Sequence, residues 1–321
     1  MAGSDQIINY QIRPAKSVER KMLCDLIREI QVLQGNRELR YIGMGAKYFA
    51  DFLLFHNEFA IKDMISIEAK KEYQQRYDFN KPLKCIEMRY GSTNEMLPQI
   101  DKFEEKINFV WLDYDDPFSQ NILLDVETMC RNLEIGSMFF VSCNFRYRGQ
   151  LPSEKQADFK RYVGDYFDEG IETKEYTSKR IPFVIRKLFD KQIEKTLQMR
   201  NRGQQSIKYE YLQLIFLKYQ DGIQMMTIGG IIVDAKMKHK ILESEMISRL
   251  EFLTVDENIY DINVPKLTNK EIQLILSRIP ITEEEYEAKK DEFYGIEYKE
   301  IKNFEKIYRY YPHYSESYYT T

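Results

Sequence analysis

Apolar residues recur along the chain with two alternating periods, which is the pattern of an α/β protein. Over 17–34, SVERKMLCDLIREIQVLQ, the residues Val18, Met22, Leu26, Ile30 and Leu33 recur at helical spacing. Ser17 is the expected N-cap, with Arg20 where a capping box would place Glu, and Gly35-Asn36 ends the helix. Then follow strand LRYIGMG (39–45), helix 46–56, strand DMISIEA (63–69), polar helix 70–79 and strand 83–92. Helix 94–103, strand INFVWLDYDDP (107–117), helix 121–133 and strand MFFVSCNF (138–145) complete the alternation. Five short apolar strands separated by helices predict a mostly parallel sheet covered on both faces. Such sheets bind ligands beyond the strand C-termini, near the switch in strand order.

After residue 150 the rhythm changes. Helices are expected over 153–167 and 183–200. YEYLQLIFLKY (209–219) and IQMMTIGGIIVD (223–234), joined through Asp221-Gly222, read as an antiparallel hairpin. The chain thus divides into an N-terminal helical extension (1–38), an α/β domain (39–235) and a C-terminal accessory region (236–321). The last region carries two capping boxes, Thr268…Glu271 and Thr282…Glu285, and an aromatic segment over 304–319. It is expected to dock on the domain or to bind a protein partner or a second subunit.

Composition narrows the picture. At 43% apolar and 31% charged residues, the chain can form a sizeable core and is not low-complexity. No apolar run is long enough to span a membrane, and residues 1–16 lack a signal peptide's apolar stretch. A cytoplasmic location is therefore expected. The four cysteines form no CxxC and the three histidines no HxxxH, which disfavours a zinc or His-based metal site. Residues 131–210 hold 16 basic and 11 acidic side chains, net +5, an excess that would suit an acidic or phosphate-bearing partner. Arg13, Lys16, Arg20 and Lys21 form a basic cluster around the first helix, read as a solvated face in preference to a partner site.

Two places concentrate candidate chemistry. Gly43 and Gly45, in YIGMGA (41–46), form a Gly-x-Gly turn at the first strand–helix junction, where a backbone can approach a ligand. Glu68 ends strand two, 25 residues after Gly43, near the ~20 expected for an acid that takes a nucleoside's hydroxyls. Asp113, Asp115 and Asp116 crowd the end of strand four and require a counter-charge, a metal or a proton. Asp115 or Asp116 is expected to cap a helix starting near Phe118, which leaves Asp113 for chemistry. Trp111 reads as core, and Asn144-Phe145 as possible lining of the site.

The order of these features resembles a class I S-adenosylmethionine-dependent methyltransferase over about 195 residues, 39–234. The resemblance implies a Rossmann-type sheet with an antiparallel terminal hairpin, and S-adenosylmethionine as cofactor. It implies cofactor contacts by Tyr41, Gly43, Gly45, Ala46, Glu68, Ala69, Ser92, Thr93 and Asp113. It places active-site residues at Asp113, Tyr114 and Asp115. Asp113 would orient or deprotonate an oxygen or nitrogen nucleophile of an unidentified acceptor, and no metal site is assigned. The family's loop reads acid-x-Gly-x-Gly-x-Gly; here Tyr41 stands at the acid and Lys47 at the third glycine. Ser92 stands where the family has an adenine-contacting Asp. The alternative expectation is a non-catalytic binding or sensing subunit that contacts a protein or nucleic acid. A nicotinamide dehydrogenase would also fit Gly-x-Gly plus Glu68 but would have no terminal hairpin.

Overall fold

The computed structural model describes residues 13–100, 103, 106–202 and 207–312. Five parallel strands come first: β1 (Leu39–Gly43), β2 (Asp63–Glu68), β3 (Ile86–Tyr90), β4 (Ile107–Pro117) and β5 (Met138–Asn144). The hairpin is β6 (Glu210–Asp221) and β7 (Ile223–Val233), turning at Gly222, whose φ of +110° suits glycine. A short β8 (Tyr260–Ile262) pairs parallel to β6 and brings the accessory region into the sheet. The order is β3-β2-β1-β4-β5-β7-β6-β8, with β7 antiparallel to both neighbours. The mostly parallel sheet and the antiparallel hairpin are as expected.

Strand alternation divides the core into two layers. Tyr41, Met64, Phe109, Trp111 and Phe140 face one side. Against them pack α1 (Pro14–Leu33), α2 (Ala50–Phe59), and the tail helices α8 (Ala235–Leu242), α9 (Met246–Arg249), α10 (Asn269–Leu276), α11 (Glu283–Ala288) and α12 (Tyr298–Ile307). Ile42, Ile65, Val110, Leu112, Phe139 and Val141 face the other side. They pack against α5 (Gln120–Asn132), α6 (Pro152–Val163) and α7 (Ile181–Asn201). Among the described residues, two further helices are α3 (Gln74–Asn80) and α4 (Thr93–Met96). The described part of the aromatic tail is docked. Tyr310 and Tyr311 are buried, Lys21 Nζ donates to both their carbonyls at 3.2 Å, and Tyr310 Oη donates to Asp25 at 2.9 Å. Residues 313–319 of the segment lie outside the described residues.

Several local expectations need correction. Helix α1 begins at Pro14, so Ser17 lies inside it; proline suits the first turn because it has no N–H to satisfy. Helix α2 begins only at Ala50, because residues 46–49 are used up by a turn in which Ala46 and Phe49 take positive φ. The helix expected over 94–103 is one α-turn, α4, followed by a 3₁₀ turn at Leu97–Gln99 around Pro98. Helix α5 starts at Gln120 with Ser119 in the N-cap position, so neither Asp115 nor Asp116 caps it. The two helices after residue 150 lie close to where the periodicity puts them. No described helix is long and apolar enough to cross a membrane.

Candidate active site at the strand switch

Strand order reverses between β1 and β4, and α2 and α5, which follow them, go to opposite faces. The C-terminal edge at that point is the crevice where open α/β sheets hold ligands. The Gly43–Ala46 turn, Glu68 and Asp113 all lie on this edge, with β1 between β2 and β4. Two strand spacings put β2 and β4 about 10 Å apart there.

The turn is tied to β2 by two hydrogen bonds, and a third within β2 links their acceptors. Gly45 N donates to Ser66 Oγ at 3.0 Å, Ala46 N to Glu68 Oε1 at 2.8 Å, and Ser66 Oγ to the same Oε1 at 2.9 Å. Glu68 is 7% exposed, and its Oε1 is held against the turn. The chain itself requires both glycines. A Cβ on Gly43 would overlap the Tyr41 phenol, and one on Gly45 would overlap the Phe49 ring and lie 3.0 Å from Ser66 Oγ. Tyr41 packs into the α1–α2 layer, its ring 4.7 to 5.1 Å from Phe52, Phe55 and Phe109. Its hydroxyl is buried with no hydrogen-bond partner among the described residues, and burial pushes its pKa up. Ala69 is exposed just beyond Glu68. Ser92 forms a capping box with Glu95, which accepts the Ser92 N–H at 3.0 Å.

The strand-four residues separate by alternation. Tyr114 points to the α5 layer, where its hydroxyl donates to Asp125 and lies 3.2 Å from Thr93 Oγ1. Thr93 also donates to Asp125, and Asn94 Nδ2 reaches the other carboxylate oxygen at 2.7 Å. Burial pushes the Asp125 carboxyl up, against the pull of these hydrogen bonds. Asp115 and Asp116 are exposed where β4 slips register against β5, and the Asp115 carbonyl accepts from Asn144 Nδ2 at 2.7 Å. Asp113 points the opposite way, to α1. Among the described residues, no group of three or more His, Cys, Asp or Glu side chains is placed to hold a metal.

The basic cluster is where expectation and structure part most. Arg13, Lys16 and Arg20 are buried, not solvated. Lys16 Nζ lies 2.8 Å from Glu19 Oε2, 2.9 Å from Asp113 Oδ1 and 3.1 Å from Tyr219 Oη, above the Trp111 ring at 4.2 Å. Arg20 pairs with Asp51 of α2. A buried relay continues from Trp111 Nε1, which donates to Ser142 Oγ at 2.9 Å; Ser142 lies 2.6 Å from Thr227 Oγ1, and Thr227 donates to Glu19. Burial pushes Asp113 up, but Lys16, Arg13 and Arg20 outweigh it and hold the carboxyl below its usual range. For Glu19 burial prevails over Lys16 and the pKa is raised, with Asp113 adding to the rise. Sequence reasoning left out Glu19, Asp51, Asp125, Ser142, Tyr219 and Thr227. A signal for the first was present: Lys16, Glu19, Leu23, Ile27 and Ile30 form one helical stripe whose first turn is charged.

Part of the net-positive stretch 131–210 is paired with the chain's own acids. Lys160–Glu169, Arg161–Asp158 and Lys191–Asp168 lie within 2.5 to 2.9 Å. Arg200 is spent on the Cys130 and Leu133 carbonyls and on the Tyr209 ring.

An antiparallel strand set between β5 and β6, and a glycine turn bound to an acid at the end of β2, define an α/β protein of the methyltransferase type. The chain belongs to the family described as "Putative O-methyltransferase", whose profile matches residues 8–319. Among solved structures it is similar to the cofactor-bound protein Rv0187 from MTB, with 14% identity over 70% of this chain and 81% of that one and a TM-score of 0.34. It is also similar to an O-methyltransferase from Bacillus cereus in complex with SAH, with 13% identity over 65% and 80% and a TM-score of 0.34. A third is an SAH-bound methyltransferase from Podospora anserina, with 8% identity over 62% and 74% and a TM-score of 0.30. No curated protein matches the chain.

Proposed function

We propose that the chain transfers a methyl group from S-adenosylmethionine to an oxygen nucleophile, with nitrogen the second choice. The observation that carries this reading is Glu68, pinned by the Ala46 N–H at the β1–β4 switch while Asp113 stands across β1 on the same edge. The Glu68 carboxylate fits the cofactor, since it suits ribose hydroxyls and lies at the switch edge beside the glycine turn. When bound, S-adenosylmethionine supplies a methyl group already activated on a sulfonium, so the protein's task is alignment. Glu68 grips the sugar, and the Gly43–Ala46 backbone seats the amino-acid end. Asp113, held ionised by Lys16, is a weak base, so its role is to orient the acceptor's O–H or N–H.

A second reading, a binding subunit without turnover, is favoured by the Phe49 ring lying over Gly45. Titration calorimetry on the full chain decides between them. S-adenosylmethionine and S-adenosylhomocysteine should both give heat, and Glu68→Gln should weaken binding about tenfold, the value of one charge-assisted hydrogen bond. No heat with either compound would refute the transferase reading and leave the second.

A further inference from the structure

A fully buried lysine is rare, because an ammonium that leaves water must regain each hydrogen bond from the protein. Lys16, 0% exposed, has two short ion pairs, with Glu19 and Asp113, and a hydrogen bond to Tyr219, and Trp111 closes the remaining side. Its helix is fixed at that spot. The Asp221 carboxylate, from the tip of the β6–β7 hairpin, accepts Ala15 N at 3.0 Å and Lys16 N at 2.9 Å. The N-terminal turn of α1 therefore sits at the crest end of β4 and β6, and Lys16 reaches Asp113 of the one and Tyr219 of the other.

This has a consequence for Asp113. Its Oδ1 is taken by Lys16, no described residue hydrogen-bonds Oδ2, and the side chain keeps 13% exposure. We infer that Lys16 is the positioning residue of the methyl-transfer site: by clamping Oδ1 it turns Oδ2 of Asp113 to the crest, where an acceptor's hydroxyl or amine would meet it. The role at an acceptor rests on the transferase reading; the clamp does not. The other groups facing Asp113 are Arg13, Arg20 and Glu19 on α1, Tyr41 on β1, Cys143 on β5 and Tyr219 on β6. Of these only the two arginines could replace Lys16 as counter-charge. Arg13 lies near Asp221 at 3.8 Å and Arg20 is paired with Asp51.

The test follows the carboxyl ¹³C shift of Asp113 against pH in the full chain, with Asp113→Asn giving the assignment. In Lys16→Met the midpoint should rise by at least about one pH unit, a tenfold change in proton affinity. A midpoint unchanged from wild type overturns the clamp. Should Lys16→Met fail to fold, ¹⁵N-lysine spectra of the wild type decide. A clamped Lys16 gives a slowly exchanging ammonium signal, and Asp113→Asn should speed its exchange at least about tenfold. Absence of a protected signal, or exchange insensitive to Asp113→Asn, overturns the inference. S-adenosylhomocysteine calorimetry separates the two readings. No heat with an intact clamp sinks the transferase reading alone; heat without a clamp sinks only the inference.

Discussion

Helix α1 has no cap of its own, and the structure makes this a measurable weakness. Its N-cap residue is Arg13, whose side chain makes no capping hydrogen bond, and Pro14 has no N–H. Ser17 N already bonds the Arg13 carbonyl at 2.9 Å. The donors without a partner in the helix are Ala15 N and Lys16 N, and Asp221 takes them from 206 and 205 residues away. Asp221→Ala removes both acceptors. Loss of a cap costs roughly 0.5–2 kcal/mol, and loss of a partly buried charge at a helix N-terminus adds up to about 1 kcal/mol. The total is about 0.5–3 kcal/mol, and the upper part is expected because two donors lose their acceptors at once. At about 2 °C per kcal/mol for a chain of this size, the melting midpoint should fall by about 5 °C. Asp221→Asn keeps one of the two acceptor oxygens, Oδ1 and Oδ2 each taking one N–H, and loses the other together with the charge, so it should fall by about 3 °C, between wild type and Asp221→Ala. Thermal melts of the three proteins, followed by circular dichroism at neutral pH, give the comparison. If Asp221→Ala melts within about 1 °C of wild type, the hairpin does not hold the helix. If the Asn and Ala variants fall equally, the charge stabilises the junction and the capping argument is wrong.

Two further predictions concern strain and pH. Gly229 and Gly230 of β7 face the backbones of β5 and β6, and a Cβ on Gly230 would overlap the Leu212 carbonyl. The overlap is with backbone in the middle of the sheet, so Gly230→Ala should cost about 3 kcal/mol, the upper end for overpacking; a urea midpoint equal to wild type would refute it. Asp190 of α7 is pushed up to about 6 by burial, with Arg186 at 3.5 Å pulling the other way. The folded state holds this proton more tightly than the unfolded chain, so the group's destabilising effect is full above about pH 6 and is lost as pH falls toward 4. Asp190→Asn should thus stabilise the protein at pH 7 by about 1 kcal/mol, after allowing for solvent screening, and by nothing near pH 3.5. An equal effect at both pH values would show that the carboxyl is not perturbed.

Periodicity gave the architecture because strand alternation and helix spacing are local signals. Each strand from β1 to β7 lies close to where its apolar run predicts it, and the Asp221-Gly222 turn forms the hairpin. Boundaries failed where the chain spends residues on a turn. Ala46 to Phe49 had the composition of a helix, but two positive-φ residues and the hydrogen bonds to Ser66 and Glu68 hold them as a loop. Pro98 likewise shortened α4, since proline favours a tight turn over a continuing helix.

The site was half legible for a physical reason. That Gly43, Gly45, Glu68 and Asp113 lie on one edge of the sheet could be read because each sits at a strand end, and strand ends can be read from sequence. Lys16 could not, because its meaning depends on three partners from α1, β4 and β6, one of them 203 residues distant. On composition alone a lysine beside two arginines is a wet surface. What reverses that reading is the crowding at 113–116, where three carboxylates in four residues demand a counter-charge that the strand does not carry. The demand was visible and its supplier was not. Had the charged first turn of the α1 stripe been weighed against that unmet demand, the pairing of Lys16 with Asp113 would have followed from charge balance. The same reasoning separates the three acids. Asp115 and Asp116 are exposed to water, whereas Asp113 is mostly shielded and is the acid that meets the Lys16 ammonium from the first turn of α1.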